Sequence, residues 1–596
     1  MAVIADLAVT RLNGGLRINR VICVSGGLSR PDSPLHHCAI GLRFQSLRLK
    51  NCGGWVDGGN TRHWVLIETG GNQAYIFGTN RLRHVVGASQ LIRELGTTWV
   101  HDAVGSRDAE VVFAISGKAL LLVPDPAAGR AVIGAVSARA LADAPGLEVT
   151  GVVGPAFDAE LVWRPDDPVA GGGEAALDHV GALERTYELL DQVRMERPSP
   201  LLRDPMLPWF EVCRESGLPV AGVEQHPDGG PAGAAVLAKA EARRGARGRL
   251  RFLLADQPAE VIPDSGEPRN NGWIAVIHAD GNGIGRMFTD FPQRALRAAC
   301  EEGDEAAKAS RPGLTLDRHM DWLRRFTAAL ENATETALGL AVRDATRGDD
   351  ATGAILPVVF GGDDVTVVCH ARFALGLARH LALNFEEQTE ASRDLMAIAG
   401  EPLTAAAGIA YVKPHHPFSA AYGLAEELTA SAKRVVRRGE RTMSAVDFHV
   451  AFESTLADLA VLRARVASDD LPRHGGPYLI SADEAEPAGP RDLRELDRTR
   501  MTMAAMSSSM AHDLREGLAR GAAEYAHRVE LAALTSDRPD GPSREDIRHL
   551  APIETGDQGQ RLVRLLDALL LNAIAKPAPS VRPPRPEAAL ASAVVS

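Results

Sequence analysis

The sequence predicts an α+β chain in which helices pack on antiparallel sheets, and three observations carry that prediction. Short apolar runs alternate with longer segments whose apolar residues recur at three- to four-residue spacing. A strand, Gly-rich turn, helix and hairpin follow one another twice, weakly from Trp64 and clearly from Trp273. Beyond about residue 450 the pattern is almost wholly helical.

Composition agrees with a folded chain of several domains. The 596 residues are 45% hydrophobic and 24% charged, which excludes a disordered, collagenous or coiled-coil chain. Their number suggests about three to five domains at roughly 100–200 residues each. Lys plus Arg is 65 and Asp plus Glu is 77, a net charge of −12. Such a balance argues against wrapping nucleic acid by bulk charge, although a local basic groove stays open. No apolar run approaches the ~18–20 residues that span a bilayer, so no membrane partner is expected. Cys23, Cys38, Cys52, Cys213, Cys300 and Cys369 include no Cys-x-x-Cys pair. Reduced thiols in a cytoplasmic protein are the expectation.

Taken in order, residues 1–60 are Gly- and Arg-rich with weak periodicity, and read as an extension without defined structure or as a folded cap. His36 and His37 in it are read as loop residues. Residues 61–165 form the weaker copy of the pattern. Trp64–Glu68 is its first strand, 80–95 its helix, and Val111–Ile115 with Ala119–Val123 its hairpin. An inter-domain region covers 166–265, punctuated by Pro/Gly loops near 166–176 and 226–234, with a third loop at 262–272. The clearer copy covers 266–450. Its strands are Trp273–Ala279, Ile355–Phe360, Val365–Cys369, Thr404–Val412 and Ser444–Phe448, and its helices Leu316–Val342, Phe373–Glu387 and Phe418–Arg437. This β-α-β-β-α-β order with an extra helix and closing strand is a ferredoxin-like, palm-type layer. A helical domain occupies 451–576, and a Pro-rich tail, expected to be disordered, occupies 577–596.

The two copies read as an internal duplication. Laid over each other, Ser116-Gly117 falls on Gly361-Gly362 and Lys118-Ala119 on Asp363-Asp364, so the first copy has lost an acidic pair.

That acidic pair is where chemistry is expected. Asp280 ends a central strand, and Asp363 and Asp364 sit at the tip of the neighbouring hairpin, so three carboxylates converge. Like charges that close require a cation. Oxygen-only ligands favour Mg²⁺ or Mn²⁺, which would activate a 3′-hydroxyl and neutralise a triphosphate. Gly361 and Gly362 permit a tight turn and close approach of backbone to a nucleotide. Gly281, Gly283 and Gly285 offer backbone N–H groups to phosphates. Lys433, late in its helix, is placed to reach the β/γ-phosphates as a point charge. Arg434, Arg437 and Arg438 read as a solvated helix end, and His415-His416 as a loop pair.

These residues resemble a known family, the large polymerase-cyclase subunits of type III CRISPR effector complexes, whose palm is related to GGDEF cyclases. The resemblance runs over about 60–580. It is carried most specifically by HADGNGIGRMF (278–288), VVFGGDDVTVV (358–368) and AAGIAYVKPHHPFSAAYGLAEELTASAKR (406–434). Weaker parallels are YIFGTNRLRHVVGASQLIREL (75–95), like a first, inactive palm, and PWFEVCRESGLPVAG (208–222), like the region between palms. The resemblance implies two palms, the first degenerate, with helical inter-palm and C-terminal domains. It implies metal ligation by Asp280, Asp363 and Asp364, a nucleotide-contacting turn at Gly361-Gly362, and triphosphate binding by Lys433. It also implies conversion of ATP into cyclic oligoadenylates in antiviral defence, with other CRISPR effector subunits and guide or target RNA as partners.

The sequence departs from that family in three places. Asn282 stands where a second acidic residue is common, which bears on one metal. Cys213 alone remains where relatives carry zinc cysteines. Many members begin with an HD nuclease domain, for which no motif is visible here, so DNA cutting is not expected. Two other functions stay open from sequence. One is a diguanylate-type cyclase using GTP, which the GGDD turn and the absence of an Arg-x-x-Asp product-inhibition motif disfavour. The other is a non-catalytic scaffold that binds nucleotide or RNA, which Asn282 and the eroded first copy favour.

Overall fold

The computed structural model describes residues 9–12, 15–18, 60–166, 177–196, 209–226, 229–253, 272–347, 354–438, 441–452, 458–466, 474–481, 489–536, 541–555 and 560–574. The chain divides into two compact units, Met1–Asp57 and Gly58–Ser596. In the first, Val9–Leu12 pairs antiparallel with Gly15–Ile18. The expectations for Cys23, Cys38, Cys52, His36 and His37, for the loops at 167–176 and 262–271, and for the tail at 577–596 lie outside the described residues.

The second unit begins with a strand, β1 (Thr61–Gly70), in which Trp64, Val65, Leu66 and Ile67 are all fully buried. A run of consecutive apolar residues of this kind suits a central strand covered on both faces. Two helices follow, α1 (Asn72–Phe77) and α2 (Leu82–Glu94). The hairpin is β2 (Glu110–Ile115) with β3 (Lys118–Val123). Asp125 caps α3 (Pro126–Asp143), with Pro126 in the first turn where its missing N–H costs nothing. The strand β4 (Glu148–Asp158) and the helix α4 (His179–Met195) complete the layer. The sheet order is β2-β3-β1-β4, antiparallel throughout. The helix α4 lies on β4 and β1, although its residues fall beyond 165.

Between the two layers, β5 (Val220–Val223) pairs with β6 (Pro231–Gly233) and runs into α5 (Ala234–Leu253). The helices α2 and α5 approach so closely that a Cβ on Gly87 would lie 1.8 Å from the Lys239 carbonyl oxygen.

The second layer contains β7 (Ile274–Gly281), α6 (Ile284–Thr289), α7 (Phe291–Glu302) and α8 (Leu316–Ala345). After these come β8 (Ile355–Gly361), β9 (Asp364–His370), α9 (Ala371–Ala391) and α10 (Arg393–Ala399). The last elements are β10 (Ala405–Val412), α11 (Phe418–Lys433) and β11 (Ser444–Val450). The helix expected to reach Arg437 stops at Lys433, because Val436 turns down onto Ala406, Ala432 and Ala445. Arg437–Arg438 then pairs with Arg441–Thr442.

The sheet order is β8-β9-β7-β10-β11-β12, where β12 (Tyr478–Ile480) comes from the C-terminal part and completes the edge. The sheet is mixed rather than purely antiparallel, since β10 and β11 run parallel through the α11 crossover. Two palm-type layers of α+β architecture are therefore present. Downstream are α12 (Leu459–Val466), α13 (Leu493–Ala505), α14 (Ser508–Arg520), α15 (Ala522–Thr535), α16 (Arg544–Arg548) and α17 (Leu565–Ile574). A small hairpin, Ile553–Thr555 with Gln560–Leu562, interrupts them. Among the described residues no helix is long and apolar enough to cross a membrane.

Candidate functional site

The site is built at one end of the second sheet. Only Gly362 and Asp363 separate β8 from β9, and Gly361 pairs with Asp364 across the turn. Gly362 has φ +67°, a conformation in which an L side chain is strained and glycine is not. Its carbonyl oxygen accepts a hydrogen bond of 2.6 Å from the Thr334 hydroxyl on α8, which fixes the turn to the layer below. The strand β9 runs antiparallel to β7 with Val365 opposite Ala279, so Asp280 at the end of β7 comes beside Asp364.

The Asp363 and Asp280 side chains lie close enough for the charge of one to act on the other. Burial first, and then the charge of Asp280, hold the Asp363 carboxyl well above the usual carboxylate range. Gly281 makes room for this arrangement. A Cβ there would lie 3.1 Å from Asp363 Cβ and 2.4 Å from Ile284 Cδ1. Lys433, the last residue of α11, places its ammonium 2.5 Å from Asp280 Oδ2 and 3.3 Å from the Gly281 carbonyl oxygen.

Asp364 is held differently. Its Oδ1 is buried and lies 3.3 Å from His278 Nδ1, while the side chain as a whole is 44% exposed. One oxygen therefore faces the protein and the other faces outward. Burial lowers the His278 pKa, but Asp364, Asp280 and Glu426 outweigh it and the net shift is upward. Asp280 and Asp363 thus meet, with Asp364 beside them and drawn toward His278. Among the described residues no group of three or more His, Cys, Asp or Glu side chains is arranged to hold a metal ion as it stands. What fits a hard divalent cation is the donor set itself, all oxygen, with two carboxyls forced together and a third presenting an outward oxygen.

The glycines divide into two kinds. A Cβ at Gly283 or Gly285 would meet nothing within 4 Å, so backbone there is open to a ligand. Gly281 and Gly361 are instead filled by neighbours: a Cβ at Gly361 would lie 2.7 Å from Ser116 Cβ at the hairpin tip of the first palm. Gly361→Val should therefore push the two hairpin tips apart and cost about 1–3 kcal/mol. Ser116→Gly should recover part of that loss, as read by denaturant melts of the two single variants and the double. The side-chain amide of Asn282, which is 9% exposed, donates to Thr404 Oγ1 at 2.9 Å just ahead of β10, while its oxygen is buried and makes no hydrogen bond.

The first palm carries a pseudo-equivalent site, and the ladders correct its alignment by one residue. Ile115 pairs with Lys118 as Gly361 pairs with Asp364, and Lys118 faces Glu68 as Asp364 flanks Asp280. Gly117 therefore stands for Asp363, Lys118 for Asp364 and Glu68 for Asp280. The sequence overlay slipped because Gly-Gly and Ser-Gly look alike, while the count of residues in the turn is set by strand pairing. Arg194, near the end of α4, lies 3.4 Å from Glu68 Oε2 and donates to the Thr69 carbonyl oxygen. Lys433 makes the same two contacts in the second palm, to the strand-end carboxylate and to the next carbonyl. Sequence reasoning missed Glu68, Arg194, Thr334 and His278. Only His278 left a signal, since it lies two residues before Asp280 and a strand repeats its face every two residues.

Residues 273–441 match the family model described as Cas10/Cmr2, second palm domain. This segment is similar to a Cas10/Cmr2 second palm. It begins at Trp273, ahead of β7, and ends past Lys433, so it contains all three aspartates. Solved structures similar to this chain include Csm1 in T. onnurineus, at 14% identity and TM-score 0.45, covering 87% of this chain and 69% of that one. A Csm1–Csm4 cassette in complex with cA4 is 14% identical, with TM-score 0.46 and coverage of 86% and 70%. A cassette in complex with pppApApA is 14% identical, with TM-score 0.47 and coverage of 86% and 69%. Comparison with curated protein sequences gives no match.

Proposed function

We propose that this Cas10-like chain is a metal-dependent nucleotidyltransferase and cyclase that makes cyclic oligoadenylates from ATP in CRISPR-type antiviral defence. The observation that carries the proposal is the Asp280–Asp363 contact, with Asp364 alongside and the Lys433 ammonium on Asp280, at the strand ends of a Cas10-type second palm. Asp280, Asp363 and Asp364 would hold Mg²⁺ or Mn²⁺, which when bound neutralises triphosphate charge and favours ionisation of an attacking 3′-hydroxyl.

The remaining chemistry belongs to the chain. Lys433 reaches the carboxylates from the last turn of α11 and can transfer its contact to the β/γ-phosphates once Asp280 is otherwise neutralised. The open backbone at Gly362, Gly283 and Gly285 lets a nucleotide approach without meeting a side chain. Attack of a 3′-oxygen on the α-phosphorus forms one phosphodiester and releases pyrophosphate, and ring closure repeats the step within the oligomer. Other effector subunits and guide or target RNA are the proposed macromolecular partners, and the cytoplasm the proposed location.

The test is to incubate the purified chain with each labelled NTP and Mg²⁺ or Mn²⁺, with and without candidate RNA, and to resolve the products. A cyclic adenylate is expected. A GTP-derived dinucleotide would replace this reading with a diguanylate-type cyclase. No product under any condition would leave a binding scaffold.

A further inference from the structure

We infer that His278 is a positioning residue that holds Asp364 in place and ties that carboxylate, through Tyr422, to helix α1 of the first palm. This inference rests on the metal reading of the aspartates above.

His278 shares a face of β7 with Asp280 and is 8% exposed. Its Nδ1 shares a hydrogen bond of 3.3 Å with the Thr366 hydroxyl on β9 and lies 3.3 Å from Asp364 Oδ1, a buried oxygen that makes no hydrogen bond and faces the imidazole as an ion-pair partner. With that oxygen buried against the imidazole and the side chain 44% exposed, the other oxygen is the one presented outward. The imidazole is itself held from behind. The Tyr422 ring on α11 meets it edge-on, with centroids 5.4 Å apart at 62°. The backbone at His278 is also fixed, because its carbonyl oxygen accepts from the Thr429 hydroxyl at 2.9 Å.

Tyr422 continues the chain of contacts into the first palm. Its ring lies 4.1 Å from that of Phe77 at the end of α1. Its hydroxyl donates to Glu426 Oε1 at 3.2 Å, and the same oxygen accepts from the Gln73 amide of α1. Phe77 also packs on Phe418 at the start of α11. The seat of a first-palm helix is thus separated from a carboxylate of the second palm by two aromatic side chains in contact. Groups that orient metal-binding side chains in this way are commonly worth roughly ten- to a hundred-fold in metal affinity.

The experiment titrates Mn²⁺ into the full chain, alone and with a non-hydrolysable ATP analogue, reading free Mn²⁺ by paramagnetic resonance, with a thermal melt of each variant. His278→Leu, which keeps side-chain bulk, should weaken Mn²⁺ binding about tenfold or more. His278→Asn, which keeps a donor near the position of Nδ1, should restore most of it. Phe77→Ala, outside the site, should weaken binding in the same direction. Combining it with His278→Leu should add nothing further, because both act on one path. Wild-type affinity in a folded His278→Leu, or fully additive losses, would overturn this role alone. Should His278→Leu not fold, unchanged Mn²⁺ affinity in both Phe77→Ala and Tyr422→Leu would overturn it. A wild type that binds no Mn²⁺ would overturn the metal site itself, and this role with it.

Discussion

Replacing Asp363 and Asp364 together by Asn should abolish cyclic product while making the protein more stable. Each half of this expectation follows from the same contact. The charge of Asp280 is set against a largely buried Asp363 carboxyl, and burial adds its own penalty to ionisation. Removing the ionisable groups relieves that penalty, so Asp363→Asn should raise the melting temperature. For catalysis the carboxylates are what a divalent cation would bind. Its transition-state contribution is several kcal/mol, and a loss of about 4 kcal/mol is about a thousandfold in rate. On the proposed mechanism the two aspartates would act as one unit, so either single variant should lose nearly as much as the pair.

The pH dependence has a definite sign. A carboxyl whose folded pKa is raised favours the folded state most below its unfolded value, and that stability is lost as pH rises through the folded value. Without added metal, wild-type stability should therefore fall as pH climbs from the ordinary carboxylate range toward neutrality, and Asp363→Asn should flatten that fall. Mg²⁺ or Mn²⁺ should raise the wild-type melting temperature and leave the double variant unmoved. Denaturant melts at several pH values, beside a product assay, check all three outcomes. A double variant that still makes product would overturn the proposed function.

What the sequence made legible follows from how local each signal is. The strands of the second palm stand out because central strands are continuous apolar runs, and the GGDD turn because glycine at positive φ and strand-end carboxylates are both local features. The partners of those carboxylates are not local. Lys433 lies about 150 residues from Asp280, and its helix could be assigned by periodicity while its salt bridge could not. His278 looked like any apolar-strand histidine until β9 brought Asp364 against it.

The slipped overlay of the two palms has the same origin. Residue type suggested one register, and the hydrogen-bond ladder imposed another. The corrected register changes the meaning of the first palm. It keeps a strand-end carboxylate and its helix-end cation, Glu68 and Arg194, but puts Lys118 where the second palm has Asp364. A fixed ammonium there stands in a position that in the second palm carries an acid. The first palm therefore keeps the frame of the site with the charge reversed at one corner.

Glu224→Ala should cost about 3–5 kcal/mol of stability. The residue follows β5 in the segment between the palms. It accepts from Arg83 Nε at 2.8 Å and Nη2 at 3.1 Å, and from His84 Nε2 at 2.9 Å, at the start of α2. All three side chains are buried. The substitution leaves a guanidinium with no carboxylate inside the protein, and the desolvation cost of that cation is then uncompensated. Glu215, which pairs with the partly exposed Arg81, supplies the control. Glu215→Ala should cost less than about 1 kcal/mol, because solvent already screens that pair.

Acid should erase the difference between Glu224→Ala and wild type. Burial pulls the Glu224 carboxyl up, but Arg83 and His84 overcome it and hold the pKa at about 2. A depressed carboxyl contributes stability that is complete above its unfolded value near 4.5 and is lost as pH falls toward 2. The gap between the two proteins in denaturant melts should accordingly be full at pH 7 and narrow steadily below about pH 4.5. A gap that stays constant down to pH 3 would mean that packing, and not the ion pair, holds this segment. The point bears on function, because the region is where resemblance leads one to expect zinc cysteines, and among the described residues it offers Cys213 alone. Its attachment to the first palm instead runs through the Arg83–Glu224–His84 cluster and the glycine contact of α2 with α5. Loosening that attachment should free the same helix pair that supports α1, since Lys239 of α5 donates to the Tyr75 carbonyl oxygen. Glu224→Ala should therefore reduce cyclic product at temperatures well below its own melting point, where Glu215→Ala leaves it unchanged.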